Sequence, residues 1–262
     1  MLRLSANITM LFTELPFLDR FPAAAAAGFT AIECIEPYVA PADVIAEHLT
    51  RHGLTAALFN MPPGNWAAGD RGIAADPERV DEFRASISTT LDYVRATGCR
   101  TLHLMAGMVP AGADRSVWTR TLVGNIRLAA DTLAAEGCTI VLEPINSRVD
   151  MPGYFYDTSD AVSEVITATA CENVKLLFDI YHAQIMEGDV ARRLGRLMPH
   201  IGHIQIADTP DRHEPGSGEL NFNYLLRRID QMGYSGWVGC EYRPAGRTAE
   251  GLGWARDYLQ GE

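Results

Sequence analysis

The stretch "NVKLLFDIYHAQ", residues 173–184, begins as a buried strand and then departs from that pattern. Val174, Leu176, Leu177 and Phe178, with Lys175 among them, form a short, mostly apolar β-run; Asp179 follows at once and His182 comes three positions later. A carboxylate at the end of a buried strand is costly unless a cation, a metal or hydrogen bonds compensate it. The fold and the chemistry both turn on what meets Asp179.

Working outward, the same kind of run recurs along the chain. "LRLSANI" from Leu2, "AIECIEP" from Ala31, "TAALFNM" from Thr55, "TLHLMAG" from Thr101, "TIVLEPIN" from Thr139, "VKLLFDIYH" from Val174, "IGHIQIAD" from Ile201 and "WVGCEYR" from Trp237 all read as strands. Between them lie stretches with helical period and helix-end signals. In "PADVIAEHLTRHG" Gly53 suits the position just past a helix C-terminus; "DPERVDEFRASISTTLDYVRATG" predicts a helix with Asp76 as N-cap and Pro77 at the first turn; "DTSDAVSEVITATA" predicts another, and "PAAAAAGF" from Pro22 a small-residue helix. Eight strand-then-helix units in this length are what an α/β (β/α)8 TIM barrel requires. A doubly wound open sheet competes, but "SANITMLF" after the first strand carries no glycine-rich fingerprint. No linker or change of composition marks a second domain, so one barrel domain spanning residues 1–262 is expected.

Composition narrows the function classes. The 262 residues are 47% hydrophobic and 21% charged, enough for a sizeable core. A formal net charge of −11 and a pI near 5.1 argue against a nucleic-acid partner, because phosphate binding needs a basic surface. The five cysteines, Cys34, Cys99, Cys138, Cys171 and Cys240, are scattered without CxxC spacing, which predicts reduced thiols and a cytoplasmic home. No apolar run is long enough to span a bilayer and no charged n-region with an apolar h-region opens the chain, so no membrane partner is expected.

In a barrel of this type the active site lies at the C-terminal ends of the strands, so polar residues that end an apolar run are the ones to collect. Glu143 in "TIVLEPIN", Asp179 in "LLFDIYH", Gln205 in "GHIQIAD" and Glu241 in "VGCEYRP" come from four successive strands. With period two, Glu143 shares a face with Val141, Asp179 with Leu177, Gln205 with His203 and Glu241 with Gly239. If those faces point inward, three carboxylates and one amide oxygen converge, and like charges so close resist joint ionisation unless a cation sits among them. Oxygen-only ligands favour a hard divalent ion, Mg²⁺ or Mn²⁺, over zinc.

Blander readings stand beside these. A lone strand-end Asp is commonly an N-cap or an ion-pair partner; His182 and His203 suit satisfied structural histidines; Asp208 in "IADTPD" suits a turn or a cap. The loop "NMPPGNWAAGDRGIAADP" has the composition of a simple connection, yet Trp66 and Arg71 within it suit a lid over a small anionic substrate. The methionines and cysteines read as packing.

Taken together, "LRLSANITMLFTELPFLDRF", "NWAAGDRGIA", "LEPIN", "DMPGYFY", "FDIYHAQIMEG", "GHIQIAD", "EPGSGE" and "GWVGCEYRP" resemble the hydroxypyruvate isomerase family, within the xylose-isomerase-like barrel superfamily that also holds ketose 3-epimerases. The resemblance runs from the first strand to the last. It implies a TIM barrel with a divalent metal held by Glu143, Asp179, Gln205 and Glu241, the two glutamates also acting as acid and base. The 3-epimerases usually carry His where Gln205 stands, and the Gln is similar to the isomerase branch. The implied reaction interconverts hydroxypyruvate and 2-hydroxy-3-oxopropanoate (tartronate semialdehyde) through an enediolate. A 2-oxo-tetronate isomerase, a ketose 3-epimerase and a non-catalytic metal-containing barrel that binds a sugar acid are the alternatives. Arg71, His182 and Arg212 are the candidates to meet the substrate carboxylate, with Arg the better bidentate match. A homo-oligomer is compatible with this reading. An endonuclease of the superfamily would need clustered His ligands for several zinc ions and a basic groove, which seven histidines and a charge of −11 oppose.

Overall fold

Eight short parallel strands close on themselves in sequence order: β1 (Arg3–Asn7), β2 (Ala31–Cys34), β3 (Thr55–Asn60), β4 (Thr101–His103), β5 (Thr139–Leu142), β6 (Val174–Asp179), β7 (Ile201–Ile206) and β8 (Trp237–Cys240). The computed structural model describes residues 2–259. Around the barrel run α1 (Arg20–Ala26), α2 (Ala42–His52), α3 (Val80–Thr97), α4 (Arg115–Ala134), α5 (Ser159–Thr169), α6 (Ile180–Met186), α7 (Val190–Leu197), α8 (Phe222–Gln231) and α9 (Arg256–Leu259), with 3₁₀ turns between several of them. β8 pairs with β1 through Leu4↔Val238 and Ser5↔Gly239, so no strand edge is left open.

Each of the eight apolar runs forms its strand, because parallel strands covered on both faces must be apolar nearly throughout. Two layers of apolar packing result. The larger lies between strands and helices and includes Leu4, Ile32, Leu142, Phe178, Ile204 and Val238. The smaller, Leu58, Val141 and Leu177, is separate and fills part of the barrel's interior. Val141 and Leu177 point inward, and by period two so do Glu143 and Asp179.

Helix ends follow local chemistry. Gly53 closes α2 in the left-handed region at φ 63°. Thr158 caps α5 by accepting from Ala161 N–H, and Asp114 caps α4 by accepting from Ser116 N–H. The expected start of α3 is corrected: the helix begins at Val80 with Arg79 as N-cap, not at Asp76–Pro77. The Asp76 carboxylate accepts from Glu78 N–H at 2.9 Å and its carbonyl from Arg79 N–H at 3.3 Å, so Asp76 builds a turn that delays the helix. Arg79 meanwhile pairs with Asp70 and Glu82, tying the preceding loop to the helix. The five cysteines are unpaired, and no helix among the described residues is long and apolar enough to cross a membrane.

Candidate active site

β6 passes into α6 with no loop between them, and the Asp179 side chain makes the join. Its Oδ1 accepts from Tyr181 N–H at 2.8 Å as the N-cap of α6, which leaves Oδ2 turned toward the barrel mouth. Glu143 stands one residue past β5, Gln205 one before the end of β7 beside Asp179 in register, and Glu241 one past β8. All four are buried, and Glu143 and Glu241 line a cavity of about 500 Å³ at the C-terminal ends of the strands. A larger groove, about 730 Å³, runs between α3 and α4 on the outer wall and contains none of these groups.

Glu143 and Asp179 approach each other, while Gln205 and Glu241 are hydrogen-bonded. One ligand atom each from Glu143, Asp179 and His182 lies within 4.8 Å of the others. Gln205 Nε2 donates to Glu241 Oε2 at 2.6 Å and to Glu33 Oε2 at 2.9 Å. Arg212, from the loop after β7, donates from Nη2 to Glu241 Oε1 at 2.7 Å and stands 3.5 Å from Asp179 Oδ2, bridging the two. Its backbone adopts φ 60°, a strained position for a side chain this large.

Glu143 Oε1, Asp179 Oδ2 and Gln205 Oε1 are buried without a hydrogen-bond partner. A buried unpaired oxygen costs roughly 1–3 kcal/mol, so three of them on neighbouring strand ends require an explanation. The electrostatics agree. Burial, then Glu241 and Asp179, push Glu143 well above the usual carboxylate range. Burial raises Asp179 to about 6 and Glu241 to about 8, although Arg212 opposes both. Burial opposes charge on Arg212, but Glu241, Asp179, Asp150 and Glu143 more than offset it. One guanidinium is too little positive charge for this set. The oxygen donors fit a hard divalent cation, which would take the place of the retained protons.

The structure places the other expected residues more variously. His182 belongs with the acids: its Nε2 is 3.5 Å from Glu143 Oε1 and 3.6 Å from Asp179 Oδ2. Burial and then Arg212 hold its pKa well below the usual histidine value. Arg71 and Trp66 line the opposite side of the cavity, the guanidinium 3.8 Å over the indole ring and donating to the carbonyls of Trp66 and Asp70. Asp208 does organise a turn, and a large one. Its carboxylate accepts from the N–H groups of Thr209, Gly216, Gly218 and Leu220 and so frames the loop carrying Arg212.

Several residues escaped the sequence reading. Glu33 on β2 lies beneath the site, where it accepts from Ser5 Oγ at 2.6 Å, contacts His203 Nε2 at 2.7 Å and holds Gln205. A Cβ at Gly239 would collide with this carboxylate, so the glycine is what admits it. Asn7 donates to Glu241 Oε2 at 2.9 Å, and Asp150 stands 3.6 Å from Arg212. His103, whose pKa burial and then His203 lower to about 3, faces Glu143 Oε2 at 3.6 Å. A charge in the middle of an apolar run was the available signal for Glu33; nothing local marks the others.

Comparison with known proteins sets this geometry in context. The sequence profile described as xylose isomerase-like TIM barrel matches residues 21–258. The 2-oxo-tetronate isomerase of Cupriavidus necator is 49% identical over 257 residues, 98% of each chain. The hydroxypyruvate isomerase of Escherichia coli is 42% identical over 258 residues, 98% of this chain and 100% of that one. A solved structure described as an AP endonuclease, family 2, from Brucella melitensis superposes with a TM-score of 0.96 at 48% identity, covering 98% of this chain and 99% of that one.

Proposed function

The chain belongs to the xylose isomerase-like TIM barrel family and is an isomerase, and from that premise we propose that it acts, with a divalent cation, on short hydroxylated 2-oxo acids. The observation that carries the reading is the pair Glu143 and Glu241, raised in pKa and set on strands β5 and β8 around unpartnered oxygens. Hydroxypyruvate and 2-oxo-tetronate present the same reacting unit, a C2 carbonyl beside a hydroxyl-bearing C3. Isomerisation breaks the C3–H bond, forms a C2–H bond and moves the hydroxyl proton from the C3 oxygen to the C2 oxygen.

In this proposal Glu143 and Glu241 remove and return the carbon-bound proton, because both reach into the cavity and burial raises both above the usual carboxylate range, Glu241 to about 8. Glu143, Asp179, Gln205 and Glu241 would hold the cation; when bound, it supplies electrostatic stabilisation of the charge that develops on the substrate oxygens. Gln205 contributes a neutral oxygen, its orientation fixed by the two bonds of its Nε2. Arg212 and His182 face the substrate from the acidic side, while Arg71 and Trp66 close over it from the other. The 49% relative favours the four-carbon acid and the 42% relative the three-carbon one. The description attached to the Brucella structure suggests DNA, but a net charge of −11 offers a poor surface for phosphates.

The test is proton NMR of each acid with the protein in D₂O, before and after chelation, beside cleavage of abasic-site DNA. Product formation with deuterium at the new C–H position, abolished by chelator and restored by Mg²⁺ or Mn²⁺, is expected. DNA cleavage without turnover of either acid would overturn the proposal.

A further inference from the structure

His182 stands close enough to Glu143 and Asp179 to look like a third metal ligand, and the segment behind it decides whether it is one. On the far side of the ring, Nδ1 faces two donors, Asn146 Nδ2 at 2.8 Å and the Asn146 backbone N–H at 3.3 Å. The amide cannot be turned round. Its Oδ1 already accepts from Val149 N–H at 2.9 Å and Asp150 N–H at 3.0 Å, and its Nδ2 also donates to the Asp150 carboxylate. A flip would set NH₂ against two N–H groups and oxygen against a carboxylate. Nδ1 therefore accepts, and the ring proton of the neutral imidazole sits on Nε2. At Nε2 the neighbours are two carboxylate oxygens at 3.5 and 3.6 Å and Arg212 Nη2 at 3.5 Å, too long for the guanidinium to outweigh two donors at the opposite nitrogen.

We propose that Asn146 is a positioning residue that holds His182 as the Nε2–H tautomer, so that the ring offers the cavity a hydrogen-bond donor rather than a lone pair and the cation site remains all oxygen. The cation part rests on the function proposed above; the tautomer stands on the contacts alone. An imidazole lone pair at this point would add a nitrogen ligand and turn the site toward later transition metals. Asn146 instead keeps the site suited to hard ions, from a position where its side chain need not touch the cation.

The first test uses metal-free wild-type protein with ¹⁵N-labelled histidine. Long-range ¹H–¹⁵N correlation is expected to show His182 protonated at Nε2 and bare at Nδ1, and a proton on Nδ1 would overturn the proposal. The second uses Asn146→Asp, which keeps the acceptor for Val149 and Asp150 but replaces the nearer of the two donors facing Nδ1 with an acceptor, leaving only the backbone N–H at 3.3 Å. His182 is expected to carry its proton on Nδ1, with the preference for Co²⁺ over Mg²⁺ rising about tenfold or more and the visible spectrum of bound Co²⁺ altered by a nitrogen ligand. A folded variant with unchanged tautomer and unchanged preference would overturn it. Wild-type protein that shows Nε2–H yet binds no divalent cation would reject the cation site and its selectivity while leaving the tautomer in place.

Discussion

Glu143, Asp179, Gln205 and Glu241 stand at or within one residue of the ends of β5 to β8, whereas β1 to β4 end on Asn7, Cys34, Asn60 and His103, with the carboxylate of Glu33 on β2 lying beneath the site. The second wall lines the cavity without carboxylates, Arg71 being its charged group: burial and then His203 hold His103 uncharged at physiological pH, and Met10, Ile35 and Met105 continue the lining outward. The same strand-and-helix repeat thus supports two chemistries. A carboxylate is tolerable on the first wall because Arg212, Asn7 and Gln205 meet it there, and the apolar character of the second wall strengthens every charge opposite. On the function proposed above, the reacting carbons would lie against β5 to β8 and substrate closure would fall to the loops of β1 to β4.

The strongest way to break that division is at Asp179. Asp179→Asn keeps an oxygen to cap α6 through Tyr181 N–H but removes the charge. We expect cation binding to be lost and turnover to fall by about 10³-fold or more, as several kcal/mol of charge stabilisation disappear, with circular dichroism unchanged. Wild-type turnover with undiminished metal content would return Asp179 to the role of a plain cap. Glu143→Gln and Glu241→Gln come next. Each retains an oxygen but no base, so turnover should drop by about 10²-fold or more while metal remains measurable, with deuterium exchange falling in parallel. Either variant exchanging at the wild-type rate would make that glutamate a ligand only.

How far these residues could be read from the sequence follows from where their partners lie. The barrel was legible because strands buried on both faces cannot hide their apolar runs, and Glu143, Asp179, Gln205 and Glu241 were legible because each breaks such a run at its C-terminal end. Glu33 was not, since Ser5, His203 and Gln205, which make its burial tolerable, sit 28, 170 and 172 residues away in the chain. Asp76 misled because a capping signature also describes a tight turn, and only the pull of Arg79 toward Asp70 and Glu82 separates the two. His182 was legible as a candidate but not its proton position, which depends on Asn146, 36 residues earlier.

Glu33 tests whether the charged wall relies on the layer beneath it. Glu33→Gln keeps the shape but removes the charge that orients His203 and Gln205, so the Gln205 amide is freer to turn its oxygen from the cavity. Cation affinity should weaken by about 10- to 100-fold, the usual scale for a group behind a ligand, as measured by titration calorimetry. Unchanged affinity would show that Glu241 alone orients Gln205. pH gives a milder probe of the same wall. With Asp179 raised to about 6 and Glu241 to about 8, the metal-free folded chain keeps protons that the unfolded chain has released. Its stability therefore falls as pH rises through 6 to 8, and cation affinity rises over the same window as those protons leave. Melting temperatures with and without Mg²⁺ should diverge between pH 6 and pH 8; curves that stay parallel would mean the acids are already ionised.

The smallest effect is expected on the wall without lining carboxylates, at Arg71. Its Nη1 donates to the carbonyls of Trp66 at 3.2 Å and Asp70 at 2.6 Å while its guanidinium lies over the Trp66 ring, and Arg79 holds Asp70 from behind at 2.8 Å. Arg71 thus shapes the loop and presents a charge to the cavity with the same group. Arg71→Lys keeps the charge but, on a shorter side chain with a tetrahedral head, loses the planar stack over Trp66 and reach to one of the two carbonyls. Losing a stacking contact of about 0.5–1 kcal/mol and one hydrogen bond of similar size should raise KM by roughly five- to thirtyfold. kcat should stay nearly constant, because a contact made equally in ground and transition states leaves the chemical step alone. Steady-state kinetics separates the two quantities. A fall in kcat at constant KM would place Arg71 against the reacting atoms, and the division between a wall of carboxylates for chemistry and a wall without them for closure would not survive that result.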